Sequence, residues 1–539
     1  MRTPLLLGFL AVVGIAQEDH SGHAAMGGGL GTVDFATSCV GDARGEMNRG
    51  VALLHSFGYE EARRAFQRAL DADPACAMAQ WGIARSWYHP VWAPPSIEEL
   101  RRGAAALERA AGAKTERERE YVAALAVFYR DFDRVDHVTR AKAYELALGR
   151  LAARYPDDDE AAIFHALQLV AVGYLDPTDR SYAWQKRGAE ILNRLLPRHP
   201  DHPGIAHYAI HAVDYPPLAE LGLKAARAYA KIAPDSSHAL HMPSHIFTRL
   251  GLWDDSIESN LAAARSAVAQ AQRLHGGGGA FDQLHALDYL VYAYLQQGKD
   301  ASARRVLDEM SRIDRLDEAQ FAAAYAFAAS PARWALERHD WKAAAALEAG
   351  PEWFPWDRFQ NAAALVYYAR AIGSARAGDV AGARRAAAEV DRIRKSLPAT
   401  RDYDWSGSVG AEWETATALI AIAEGKRQEG LRLLRAAADH EDAVDKHPVT
   451  PGALLPAREL LADALLENGS AAEALREYEA ALKTSPRRFR STAGAMQSAW
   501  DSGDRAKARS YAAQLLEIAK GAEVERPELA VARRYLSAK

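Results

Sequence analysis

The stretch GYEEARRAFQRALDADP, Gly58 to Pro74, places Ala62, Phe66 and Ala69 four and three residues apart and closes five residues later on Pro74. Apolar residues at that spacing line one face of a helix, while the leading Gly and the closing Pro mark its two ends. The same phrase returns as QGKDASARRVLDEM, AGDVAGARRAAAEV, NGSAAEALREYEAALKTSP and SGDRAKARSYAAQLLEIAK. Each copy follows a first small-residue helix and a Gly turn. Hairpins of this kind cannot bury their faces alone, so they stack, and the first helix of each pair lines a continuous concave groove. The 539 residues, 49% of them hydrophobic, are enough for one elongated array in place of several globular domains.

The spacing resembles the tetratricopeptide repeat, a unit of about 34 residues. The resemblance implies an all-α, tetratricopeptide-type helical-hairpin solenoid coiled as a right-handed superhelix. In that repeat, positions 2, 5 and 9 of the first helix face the groove. Taking Gly251 as the turn glycine makes Ser237 the first residue of its unit and puts His238, His241 and His245 on the groove face. Pro234 registers the preceding unit independently, with His207 and His211 facing the groove 34 residues before His241 and His245. Gly298 registers the following unit, adding His285, Asp288 and Tyr292.

Nine of the 18 histidines lie between His199 and His285, where an even spread would leave about three. Histidines four apart on one helix face can converge on a single ion. The spacing therefore predicts that His207, His211, His241 and His245 share one metal ion between adjacent helices. His238, His285, Asp288 and Tyr292 serve as further ligands or as groups that orient the rings. Without cysteine in the set, the ion is a transition metal suited to imidazole, with copper placed ahead of zinc. Met242 points away from His241 and is read as packing, and Pro243 is expected to kink the helix. His55, at the end of the first repeat's first helix, is expected to lie far along the array from this patch.

The beginning of the chain, MRTPLLLGFLAVVGIA, has a cation, an apolar run and a small-residue end, and residues 1–16 read as a secretory signal. Residues 17–36 read as a flexible tail in which His20, His23 and Met26 form a second, copper-suited set. The solenoid then spans 37–539, with the His-rich groove segment at 199–298 and the C-terminal repeats at 448–539. Export to a periplasmic or extracellular compartment would allow Cys39 and Cys76 to pair. A formal charge of -5 offers no basic field for nucleic acid, and no later segment is apolar enough to span a membrane.

Beyond the repeat itself, RGVALLHSFGYEEARRAF, DPACAMAQWGIA, HYAIHAVDYP, HALHMPSHIFTRLGLW and HPVTPGALLPARELL resemble a group of exported bacterial tetratricopeptide repeat proteins. That resemblance implies a solenoid and export but carries no activity. Three functions stay open from the residues. One is metal binding and handling in the groove. Another is a metalloenzyme whose His-bound ion keeps an open position, with Asp214, Asp288, Tyr289 or Tyr292 moving protons. The third is a metal-free scaffold gripping a peptide or protein ligand.

Overall fold

A computed structural model describes residues 29–91, 94–176, 179–316, 318–398, 403–444 and 446–538. The chain is a run of antiparallel helical hairpins, and among the described residues the single extended feature is an isolated bridge between Gly279 and Leu316. The hairpins that build the site are Ala43–His55 with Tyr59–Ala72, Asp159–Tyr174 with Ala183–Leu195, and Pro203–Val213 with Leu223–Ile232. Next come Ser237–His241 continuing into Pro243–Arg249, paired with Trp253–His275, and then Phe281–Gln296 with Asp300–Met310. The all-α helical-hairpin solenoid expected from the sequence is the fold observed.

Small residues let the helices approach closely. A Cβ at Gly50 or at Gly82 would stand 2.4 Å and 2.6 Å from the buried ring of Phe66, so one aromatic fills the space that two glycines leave. The turn between the two helices of a hairpin needs a left-handed residue. Gly251 supplies it at φ 66, where a Cβ would also strike the Pro486 carbonyl oxygen at 2.3 Å. In the first hairpin the same place is held by Phe57 at φ 55, a conformation that costs a side-chain-bearing residue about 1–2 kcal/mol.

The array is wound tightly enough for distant repeats to touch. Nδ1 of His207 donates to the His55 carbonyl at 2.6 Å, and the Tyr229 hydroxyl donates to Ser56 Oγ at 3.2 Å. From the other side, Trp253 Nε1 donates to the Arg487 carbonyl at 3.0 Å, and the Tyr289 hydroxyl to that of Thr450 at 3.3 Å. Arg488, fully buried, pairs with Glu337 at 2.7 Å and Glu459 at 2.8 Å between those layers. The expectation that His55 is remote from the histidine patch is therefore corrected: superhelical winding, which sequence separation does not report, brings the first repeat against the fifth.

Cys39 and Cys76 form a disulfide, both fully buried. Leu30, Val33 and Phe35, at the end of the segment read as tail, are buried against the array, and Phe35 stacks on Trp81 with ring centroids 5.3 Å apart. The apolar side chains of that short stretch belong to the same buried core as the first repeats. The signal segment and His20, His23 and Met26 lie outside the described residues. Among the described residues no helix is long and apolar enough to cross a membrane.

Candidate metal centre

Pro203 opens the Pro203–Val213 helix, where its missing N–H is no loss, and sets the phase that stacks His207 and His211 one turn apart. The next first helix starts at the Ser236 cap, whose side chain accepts from the Ala239 N–H, and carries His238 on its opening turn. Pro243 interrupts this rod into Ser237–His241 and Pro243–Arg249, yet Met242 keeps right-handed helical angles. His241 and His245 thus remain one turn apart across the break. His285 comes from the opening of Phe281–Gln296.

These six rings sort into two groups, His207 with His211 and His238, and His241 with His245 and His285, each with its ligand atoms within 4.8 Å of one another. The rule is regular: two rings from the middle of one first helix meet one ring from the opening turn of the next. His207 Nε2 lies 3.0 Å from His238 Nε2 and 3.1 Å from His211 Nε2. His241 Nε2 lies 3.0 Å from His245 Nε2, and the His285 ring centroid is 4.2 Å from that of His241. His207, His211, His241 and His245, read from the sequence as one set, are divided two and two. The groups adjoin, with the His211 and His245 centroids 6.5 Å apart.

Hydrogen bonding on the far side of the rings decides what these contacts are. A carbonyl can only accept, so the His55 oxygen fixes the proton of His207 on Nδ1 and leaves its Nε2 a bare lone pair. Asn260 Nδ2 donates to the Ser256 carbonyl at 2.7 Å, which turns its Oδ1 toward His241 Nδ1 at 2.6 Å. His245 Nδ1 faces the Asp214 carboxylate at 3.0 Å. With both Nδ1 protons so committed, His241 and His245 point lone pair at lone pair across 3.0 Å. Neutral rings repel in that arrangement unless a cation stands between them.

An added proton is the costly way to supply the cation. All six rings are at most 6% exposed. Burial first, and then the neighbouring imidazoles, hold His207, His211, His238, His241 and His285 well below the ordinary histidine range. Burial also lowers His245, against the opposing pull of Asp214. These rings are neutral, which is the form that binds metal. Burial pushes Asp214 up, but Lys446, Arg249 and His245 outweigh it and keep the carboxylate ionised. Arg249 Nε donates to it at 2.8 Å and Lys446 Nζ at 3.3 Å.

Aromatic rings flank both triads. The Phe57 centroid lies 4.4 Å from His207, 5.3 Å from His238 and 5.5 Å from His211, which is what its left-handed backbone achieves. The Tyr289 ring covers the other triad, 4.9 Å from His241, 5.1 Å from His245 and 5.3 Å from His285. The remaining groove residues turn away. Asp288 accepts from Ser330 Oγ at 3.0 Å and faces Arg333, and the Tyr292 hydroxyl accepts from Arg488 at 3.3 Å. Met242 is core, packed with Ala239 and Ile246.

A third group, His55, Glu160 and His202, is also close enough to hold an ion. Its ring nitrogens are differently engaged. Glu160 accepts from His55 Nε2 at 2.9 Å and from His202 Nε2 at 3.0 Å, so its charge is met by N–H donors. His55 Nδ1 further bonds the Tyr208 hydroxyl at 2.8 Å. This carboxylate anchors the residue whose carbonyl orients His207, a role no sequence spacing signals. Asn260 and Phe57 were equally invisible, being an amide inside a second helix and an aromatic in a turn.

No protein-family model matches the chain, and no curated protein does. Among solved structures, the human IFIT1 dimer with PPP-AAAA is similar at 12% identity, over 87% of this chain and 89% of that one, with a TM-score of 0.38. The APC/C hetero-tetramer Cut9–Hcn1 is similar at 11% identity, over 93% and 97%, with a TM-score of 0.30. The site described above is therefore read from its own side chains.

Proposed function

We propose that this protein binds and handles a transition metal, holding one ion in each histidine triad, with copper ahead of zinc, and that it does so after export. The observation that carries the reading is the His241–His245 contact, two Nε2 lone pairs 3.0 Å apart with their Nδ1 protons engaged elsewhere. An ion about 2.0 Å from each imidazole nitrogen satisfies both lone pairs at once. The bonds to the His55 carbonyl, Asn260 and Asp214 are the orienting contacts that ligating histidines ordinarily have.

Charge favours copper. The triads contribute only neutral rings, and Asp214 is already matched by Arg249 and Lys446, so each ion brings its full charge into a buried chamber. The cost of burying an ion grows with the square of its charge, which makes two Cu(I) far cheaper to hold than two Zn(II). The Cys39–Cys76 disulfide fits an oxidising compartment and so supports export. A groove open to peptides is the weaker reading, since Thr450 and Lys446 of the same chain lie against the site.

Metal analysis of protein purified without a histidine tag, joined to thermal melts with and without chelator, tests the proposal. Each bound ion should stabilise the fold by about 2.7 kcal/mol at a hundredfold excess over its Kd. Protein that carries no copper or zinc, takes up neither on addition, and melts alike with or without chelator would overturn it.

A further inference from the structure

The two triads are not separate sites on a surface. His238 and His241 sit one turn apart on the same short helix but serve different triads, and the His211 and His245 rings approach to 6.5 Å between centroids. Each triad offers three ligand atoms, which leaves an open position on an ion that takes four. Phe57 packs against the first triad and Tyr289 against the second, and the two triads adjoin through His211 and His245. Among the described residues no carboxylate belongs to either triad, and Asp214 is held by His245, Arg249 and Lys446. The protein supplies no anion to bridge the two ions.

Resting on the metal reading above, we propose that the two triads, each holding Cu(I), form a single dioxygen-binding centre in which O2 bridges the pair. Each Cu(I) gives up one electron and becomes Cu(II). Dioxygen accepts both electrons and becomes a bound peroxide dianion, its two oxygen atoms still joined by a single bond. No proton and no further reductant enters this step.

The charge balance explains why the buried site suits this reaction. Before it, two monocations and a neutral molecule occupy the buried space. After it, two dications and one dianion do, and the sum is unchanged. Loss of the same two electrons to a distant acceptor would leave four positive charges among neutral rings, which burial penalises heavily. The oxidised pair is therefore stable only while the reduced oxygen stays between the ions, which is what a reversible or activating dioxygen site requires.

The test uses the full chain, freed of metal, loaded anaerobically with two equivalents of Cu(I), and then exposed to O2. The expected result is uptake of one O2 per two coppers, with a new near-ultraviolet charge-transfer band. The Cu(II) formed should give almost no paramagnetic resonance signal, because the two spins couple through the bridge. Denaturing the sample in acid should restore the signal to the full copper content. His238→Ala and His285→Ala each open one triad, and each should leave one copper whose signal accounts for all of it. Two coppers retained per chain that oxidise to fully visible, uncoupled Cu(II), or that take up no O2, would overturn the shared centre while leaving the metal reading intact. Failure to retain any copper or other ion would overturn both.

Discussion

His207 Nδ1 and the backbone carbonyl of His55 are 2.6 Å apart, although 152 residues separate them in the chain. This one bond fixes the tautomer of the ring and aims its Nε2 at His211 and His238. It also makes the histidine site a product of superhelical winding, because the carbonyl belongs to the first repeat and the ring to the fifth.

Asn260 performs the same service for His241 in the second triad. Asn260→Ala should lower the affinity of that triad by about 10–100-fold, the usual loss when a ligand's orienting partner is removed. The first triad should keep its affinity. Competition with a chromogenic Cu(I) chelator, resolving two binding steps, checks this. Equal weakening of both steps would mean that the substitution acts on the fold and not on His241.

Removal of metal should make the protein acid-labile in a defined window. The six rings are held below the ordinary histidine range, burial being the first cause in each. The unfolded chain takes up protons near pH 6.5 that the folded chain refuses, so stability is full above that pH and falls as pH drops below it. Each ring contributes about 1.4 kcal/mol per pH unit until its folded form also titrates. Denaturant midpoints of metal-free protein between pH 8 and 5 should therefore decline steeply below pH 6.5. Replacing the rings of one triad by Gln should flatten that decline, and an unaltered slope would show the rings to be protonated in the fold.

Much of this arrangement was legible beforehand. Gly251, Gly298 and Pro234 register three repeats, and that register places His207, His211, His238, His241, His245 and His285 on one face. Their partition was not legible. Position on a helix face says which way a ring points, but the choice between His245 and His238 as partner of His207 depends on how adjacent repeats are staggered and twisted. Asp288 and Tyr292 share the groove register and yet answer to Arg333 and Arg488, buried cations whose approach comes from elsewhere in the fold. Phe57 stands where Gly251 and Gly298 stand in their repeats, so the turn rule alone predicts the wrong residue there.

The Cys39–Cys76 bond ties the segment before the first helix to the start of the second repeat, with 37 residues of separation. In the loop-entropy picture, breaking it costs about 4 kcal/mol. Cys39→Ala with Cys76→Ala should lower the denaturant midpoint accordingly without changing metal stoichiometry. A change in bound metal would show that the bond reaches the chamber through the first repeat.

Away from the chamber, Glu412 is pushed up to about 8, by burial first and by Glu441 second, and its Oε2 has no hydrogen-bond partner among the described residues. A carboxyl raised in the fold favours folding less and less as pH climbs from its unfolded value toward its folded one. Glu412→Gln should therefore leave stability near pH 5 little changed and raise the melting temperature at pH 8 to 9. A variant that melts lower than wild type at pH 9 would contradict the assignment.

Copper-edge anomalous diffraction from crystals of the copper-loaded protein tests the central claim most directly. Two peaks are expected, one at bonding distance from the Nε2 atoms of His207, His211 and His238, the other enclosed by His241, His245 and His285. A single peak shared by His207, His211, His241 and His245, or copper bound elsewhere with both triads empty, would contradict the account.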